Sequence, residues 1–72
     1  MKTKYKHLTF YENPDGKVVG KTGYTCINKS GELLGYIEWF LRWEQYCYFD
    51  ESRGVYSQSC LLDIADFLNQ LK

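Results

Sequence analysis

Apolar and polar positions alternate along the first two thirds of the chain and then change period. "KYKHLTFYE" and "KVVGKTGYTCI" are rich in Tyr, Phe, Val and Thr and read as strands. Between them stands "NPDG", Asn13 to Gly16, which has the form of a type I turn ending in a Gly bulge. A second Asn-to-Gly turn, "NKSG", spans Asn28 to Gly31. With Gly31 as the bulge residue, Asn28 faces Glu32, Ile27 faces Leu33 and Thr25 faces Gly35. Register matters here, because a slip of one residue exchanges the two faces of a strand.

The segment "YIEWFLRWEQYCYF", Tyr36 to Phe49, fits two periods. As a helix, Gly35, Glu38, Arg42 and Gln45 form a polar stripe. As strands, Leu33, Gly35, Ile37 and Trp39 share one face, and Leu34, Tyr36, Glu38 and Phe40 the other. Aromatic and β-branched enrichment and the turn before Glu32 select strands, with a break at Leu41 to Glu44. "DESRG" is a polar turn and "VYS" a short strand or extended lead-in. "SQSCLLDIADFLNQLK" is a helix capped by Ser57 or Ser59, with Leu61, Ile64, Ala65, Leu68 and Leu71 along one stripe. Asp63 and Lys72 suit the two ends of its dipole.

The expected architecture is α+β: an antiparallel meander of four or five short strands packed on one C-terminal helix. The 72 residues make a single domain. It divides into an N-terminal hairpin extension (1–23), a sheet (24–56) and a helix (57–71). Thr25, Ile27, Leu33, Gly35, Ile37, Cys47 and Phe49 are expected to meet Leu61, Ile64, Leu68 and Leu71. Tyr24, Tyr36, Phe40, Tyr46 and Tyr48 then occupy the other face, which stays open unless the N-terminal hairpin folds across it.

Composition sharpens that point. Seven of the thirteen aromatic residues lie between Tyr36 and Phe49. An exposed aromatic surface of that size marks an interaction site. The candidate binding residues are Tyr36, Phe40, Trp43, Tyr46 and Tyr48. Net charge is zero, with an excess of about +4 in residues 1–31 and about −4 in residues 32–72. A strong nucleic-acid binder carries a dominant basic excess, which is missing. No signal-peptide pattern opens the chain, no stretch is apolar enough to span a membrane, and Cys26, Cys47 and Cys60 follow no disulfide framework; a cytoplasmic protein with reduced thiols is expected.

No motif assigns an activity. "DGKVVGKTG" misses the phosphate-loop spacing by one residue and lacks its first Gly. His7 and the three cysteines have no metal-ligand spacing, so no metal or cofactor is expected. Cys60 in the first helical turn has no evident His partner for nucleophilic catalysis. The carboxylate pairs Asp50/Glu51 and Asp63/Asp66 read as turn and helix-surface residues. No catalytic set emerges, and a non-enzyme is expected.

"INKSGELLGYIEWFLRWEQYCYF" followed by "VYSQSCLLDIADFLNQL" resembles a family of small uncharacterised proteins from phages and bacteria. That pattern runs I-N-K, a Gly turn, L-G-x-I-x-W, W-x-Q-Y-C-x-F, then C-L-x-D-I-x-x-F, and it covers roughly residues 24–71. Ile27, Asn28, Lys29, Leu34, Gly35, Ile37, Trp39, Trp43, Gln45, Tyr46, Cys47, Phe49, Cys60, Leu61, Asp63, Ile64 and Phe67 match it. Arg42 stands where the family commonly has Pro, and Glu44 where it has Arg. The resemblance implies a phage or prophage context and a binding role, with a host protein as partner or a small molecule held. Two further readings stand beside it: a nucleotide or single-stranded nucleic-acid binder using the same face, and a homo-oligomer that buries it.

Overall fold

The computed structural model describes residues 1–51 and 53–72 of the chain; Ser52, inside the expected polar turn, lies outside the described residues. Four antiparallel strands form one sheet in the order β1-β2-β3-β4: β1 (Leu8–Val18), β2 (Lys21–Asn28), β3 (Leu33–Phe40) and β4 (Gln45–Asp50). One helix, α1 (Gln58–Gln70), covers one face. The α+β expectation holds, with four strands. The break at Leu41 to Glu44 is the β3–β4 turn, closed by the facing pair Phe40 and Gln45. Glu44 takes a left-handed φ of 50° to end it.

The "NKSG" turn forms as its residues suggest. The Asn28 side-chain oxygen accepts from the Ser30 and Glu32 amides, both at 2.9 Å, and Gly31 adopts φ 83°. Such side-chain capture of nearby amides is why Asn starts turns.

"NPDG" does something else. It is not the hairpin turn. Asn13 faces Gly23 and Val18 faces Lys21, so β1 spends five steps where β2 spends two. The three surplus residues make a wide bulge inside β1. The chain reverses at Val19 and Gly20, with φ 43° and 80°. Positive φ at both central residues is the type I′ pattern, whose twist matches that of the strands. The bulge folds over Gly23 on the face away from α1. A Cβ at Gly23 would come within 2.8 Å of the Gly16 carbonyl carbon.

A second irregularity resets the faces. Ile27 faces Leu33 as the turn dictates, but Cys26 faces Gly35. One residue of β2 thus matches two of β3, and Leu34 is the extra one. Beyond it Thr25 faces Tyr36, not Gly35. The helix-side face of the sheet is therefore Leu8 and Phe10, Tyr24 and Cys26, Gly35, Ile37 and Trp39, then Tyr46 and Tyr48. Thr25, Ile27, Leu33, Cys47 and Phe49, expected in the core, belong to the opposite face.

Eight buried residues form the core: Tyr5, Leu8, Phe10, Tyr24, Cys26, Ile37, Ile64 and Phe67. Phe67 anchors the helix. Its ring stacks on Phe10 at 4.1 Å and meets Tyr24 edge-on at 5.0 Å. Burying a ring like this one stabilises the fold by about 1.5–3 kcal/mol. The helix is rolled relative to the expected stripe: Cys60, Ile64, Phe67, Leu68 and Leu71 face the sheet, and Leu61 and Ala65 are exposed. Ser57 is the N-cap, its Oγ accepting from the Cys60 amide at 3.2 Å. The first turn of α1 holds no acidic residue and the last no basic one, so Asp63 and Lys72 do not serve the dipole as expected.

Residues 1–23 supply Tyr5, Leu8 and Phe10 to the core and do not form a separate lid. Residues 3–4 run back along β1, with Phe10 N–H donating to the Thr3 carbonyl at 2.9 Å. Tyr5 donates to Asp66 Oδ2 at 2.8 Å, and the Gln70 side chain bonds both the amide and the carbonyl of Lys2. These contacts bind the N-terminus to the helix.

Candidate binding surface

Strand alternation and the β3–β4 register split the five candidate residues between two sides. Tyr36, Phe40 and Trp43 lie on or beside the face turned away from α1. Tyr46 and Tyr48 point toward the helix and are corrected out of the open surface.

On the open face a row crosses all four strands: Tyr11, Thr25, Tyr36 and Phe49. Phe40 stands two same-face positions farther along β3, past Glu38, and is wedged between two rings. Trp43 meets it edge-on at 5.0 Å, and Phe49 at 5.9 Å. Trp43 projects from the β3–β4 turn and is 63% exposed; Tyr11 is 53% exposed, Phe49 38% and Leu33 37%. Edge-to-face contacts hold the rings in fixed orientations at little entropic cost. The bulge at Asn13 to Val18 covers the Gly23 and Glu38 end of the face and leaves the aromatic row open. Tyr11, Leu33 and Phe49 belong to this surface and were not among the sequence candidates. Tyr11 could have been found from its strand alternation with Phe10. Leu33 could not, because the bulge that turns it outward has no signal in "ELLG", and Phe49 could not, because its face is set by the β3–β4 register that pairs it with Tyr36.

Charge is sparse on this face. Glu38 lies beside the bulge, which itself carries Asp15 and Lys17, away from the aromatic row. Lys21 lies on the other side of the sheet, its Nζ 4.7 Å from the Trp39 ring centroid. Lys29 and Arg42 sit in turns at opposite ends of β3. No line of cations follows the aromatic row, as a phosphate backbone would require.

Tyr46 and Tyr48 have other duties. Tyr46 meets Trp39 edge-on at 5.5 Å, and both line an open groove of about 840 Å3 with Leu62, Leu68 and Leu71. Tyr48 lies across Gly35. A Cβ there would collide with the Phe49 carbonyl and sit 2.6 Å from the Tyr48 hydroxyl. That hydroxyl is 2.5 Å from the Tyr56 hydroxyl, which in turn donates to Asp50 Oδ1 at 2.6 Å. Burial, reinforced by the hydrogen bond to Asp50, pushes the Tyr56 hydroxyl up to about 12; burial raises Tyr48 as well. This chain ties β4 and the approach to α1 together.

The thiols are free. Burial, with Cys60 nearby, pushes Cys26 up to about 12, which makes it an inert packing residue. Among the described residues no group of three or more His, Cys, Asp or Glu side chains could hold a metal ion, and no helix is long and apolar enough to cross a membrane.

Compared with protein-family models, with curated proteins and with solved structures, the chain matches none.

Proposed function

We propose that the protein is a small non-enzymatic binding module that acts in the cytoplasm by occupying a protein partner through its open aromatic face. The observation that carries this reading is the row of Tyr11, Tyr36 and Phe49, extended by the interlocked rings of Phe40 and Trp43, on a sheet face that α1 leaves uncovered. Tyr and Trp dominate the few residues that supply most of the energy in protein interfaces. The scarcity of cations on the same face favours a protein over a nucleic acid. The resemblance to small phage and bacterial proteins supports a host protein as partner and a phage or prophage setting.

The test is co-purification from host cells with three proteins side by side: wild type, Tyr36→Ser/Trp43→Ser, and Leu62→Ser. All three keep the wild-type circular dichroism, because each altered side chain lies outside the buried core. A protein captured by wild type and by Leu62→Ser, and lost at least tenfold in the double variant, is the expected result. Equal capture by all three overturns the reading. Captured oligonucleotide, released by salt, replaces the protein partner with a nucleic acid.

A further inference from the structure

The outer edges of the sheet are treated unequally. Beside β1, residues 3–4 bond back to the strand, and the bulge carrying Pro14 interrupts the rest. Cover, bulges and Pro are the usual protections of an edge. β4, "QYCYFD", has no Lys, no Pro and no bulge, and pairs with β3 in unbroken register from Gln45 to Asp50.

The ladder fixes which groups are free. Glu51 N–H donates to the Leu34 carbonyl at 2.9 Å. Bonded pairs alternate in an antiparallel ladder, so Phe49, Cys47 and Gln45 also bond to β3. The amides and carbonyls of Tyr46, Tyr48 and Asp50 then point outward. Among the described residues no backbone bond reaches them from outside.

We propose that two copies of this chain pair edge to edge through β4, with Tyr48 facing Tyr48 across the two-fold axis, to give one continuous antiparallel sheet. In this register every residue from Tyr46 to Asp50 is paired. Asp50 faces Tyr46 and Glu51 faces Gln45 of the second copy, so no like charges meet. Centring on Cys47 instead sets Glu44 against Asp50, a repulsive pair. Centring on Tyr46 draws in the turn residues Leu41 and Arg42. The two-fold axis is perpendicular to the sheet, so both open aromatic faces lie on one side, with Phe49 beside Cys47 of the second copy. The pairing stands whatever occupies that face.

The experiment is sedimentation equilibrium on three forms: wild type, Trp43→Ser, and a synthetic chain with an N-methyl group on the Tyr48 amide. The methyl removes an outward donor and blocks the edge without touching β3. Wild type and Trp43→Ser are expected at twice the 8.5 kDa chain mass. The N-methyl form is expected to dimerise at least about 100-fold more weakly with unchanged circular dichroism, because each copy loses a bond. Should the N-methyl form not fold, Cys47→Lys places a charge against Phe49 of the second copy and is expected to dissociate the dimer. A wild-type monomer at the highest concentration reached overturns the proposal. So does a dimer that survives both edge changes, or one lost in Trp43→Ser.

Discussion

Val19 holds the turn that the sequence assigns elsewhere, and replacing it by Asn tests the placement by sign. Its φ of 43° is left-handed, a region where a Cβ costs about 1–2 kcal/mol and where β-branched residues are outliers. The side chain is 66% exposed, so about one third of its burial is lost on replacement, roughly 0.5–1 kcal/mol of the ~1.5–3 for a full Val. Val19→Asn creates Asn-Gly, the favoured type I′ pair. The gain works out at about 1 kcal/mol and a Tm higher by about 4–8 °C for a domain of this size. Thermal unfolding followed by circular dichroism reads it, with Val19→Thr, still β-branched, as a control that shows no gain. Were the chain to reverse at "NPDG", Val19 would lie in a strand, and Asn there would cost up to about 1 kcal/mol. A Tm that falls in Val19→Asn refutes the Val19–Gly20 turn.

Other substitutions probe the packing. Gly35→Ala is expected to lower stability by about 2 kcal/mol, because the Tyr48 ring is held across Gly35 by Tyr56 and cannot give way; urea unfolding measures it, and an unchanged midpoint contradicts the contact. Asn28→Ala is expected to cost about 1–2 kcal/mol by the same assay, with Asn28→Asp between it and wild type because the two accepted amide bonds survive. The Tyr56 hydroxyl is raised from about 10 to about 12 in the folded state, so its contribution is complete below pH 10 and lost as pH rises toward 12. Alkaline unfolding is therefore expected to be steep over that window and flatter in Tyr56→Phe; identical curves remove the Tyr48–Tyr56–Asp50 chain from the explanation.

Much of the fold is legible in the residues because local chemistry and global structure agree there. Asn28 and Gly31 make the turn their types demand. The aromatic run breaks at Leu41 to Glu44, where strand alternation fails, and the helix starts at a Ser cap. The rest depends on tertiary contacts. "NPDG" has turn chemistry, yet its residues serve a bulge that packs over Gly23, while the actual turn uses Val19, which propensity forbids. Leu33 and Leu34 are chemically identical, so nothing in the sequence marks Leu34 as the surplus residue. That one residue turns Ile27 and Leu33 outward and Tyr24 and Cys26 inward. The β3–β4 register, which sets Ile37 against Tyr48 and Tyr36 against Phe49, sends Tyr46 and Tyr48 inward and Phe49 outward. Of the candidate surface, Tyr36, Phe40 and Trp43 were readable because they lie on the outward alternation of β3 or on its exposed turn. The helix roll follows from Phe67, whose stacking on Phe10 outweighs the simple count of aliphatic residues along the stripe.

Photocrosslinking through p-benzoylphenylalanine, placed in turn at Trp43, Phe49 and Leu62 and used in living cells, reports which side of the molecule touches a partner. Protein adducts from the Trp43 and Phe49 positions, and none from Leu62 on the exposed side of α1, are expected if the open aromatic face is the working surface. Adducts from Leu62 alone would place the contact on the helix and contradict it.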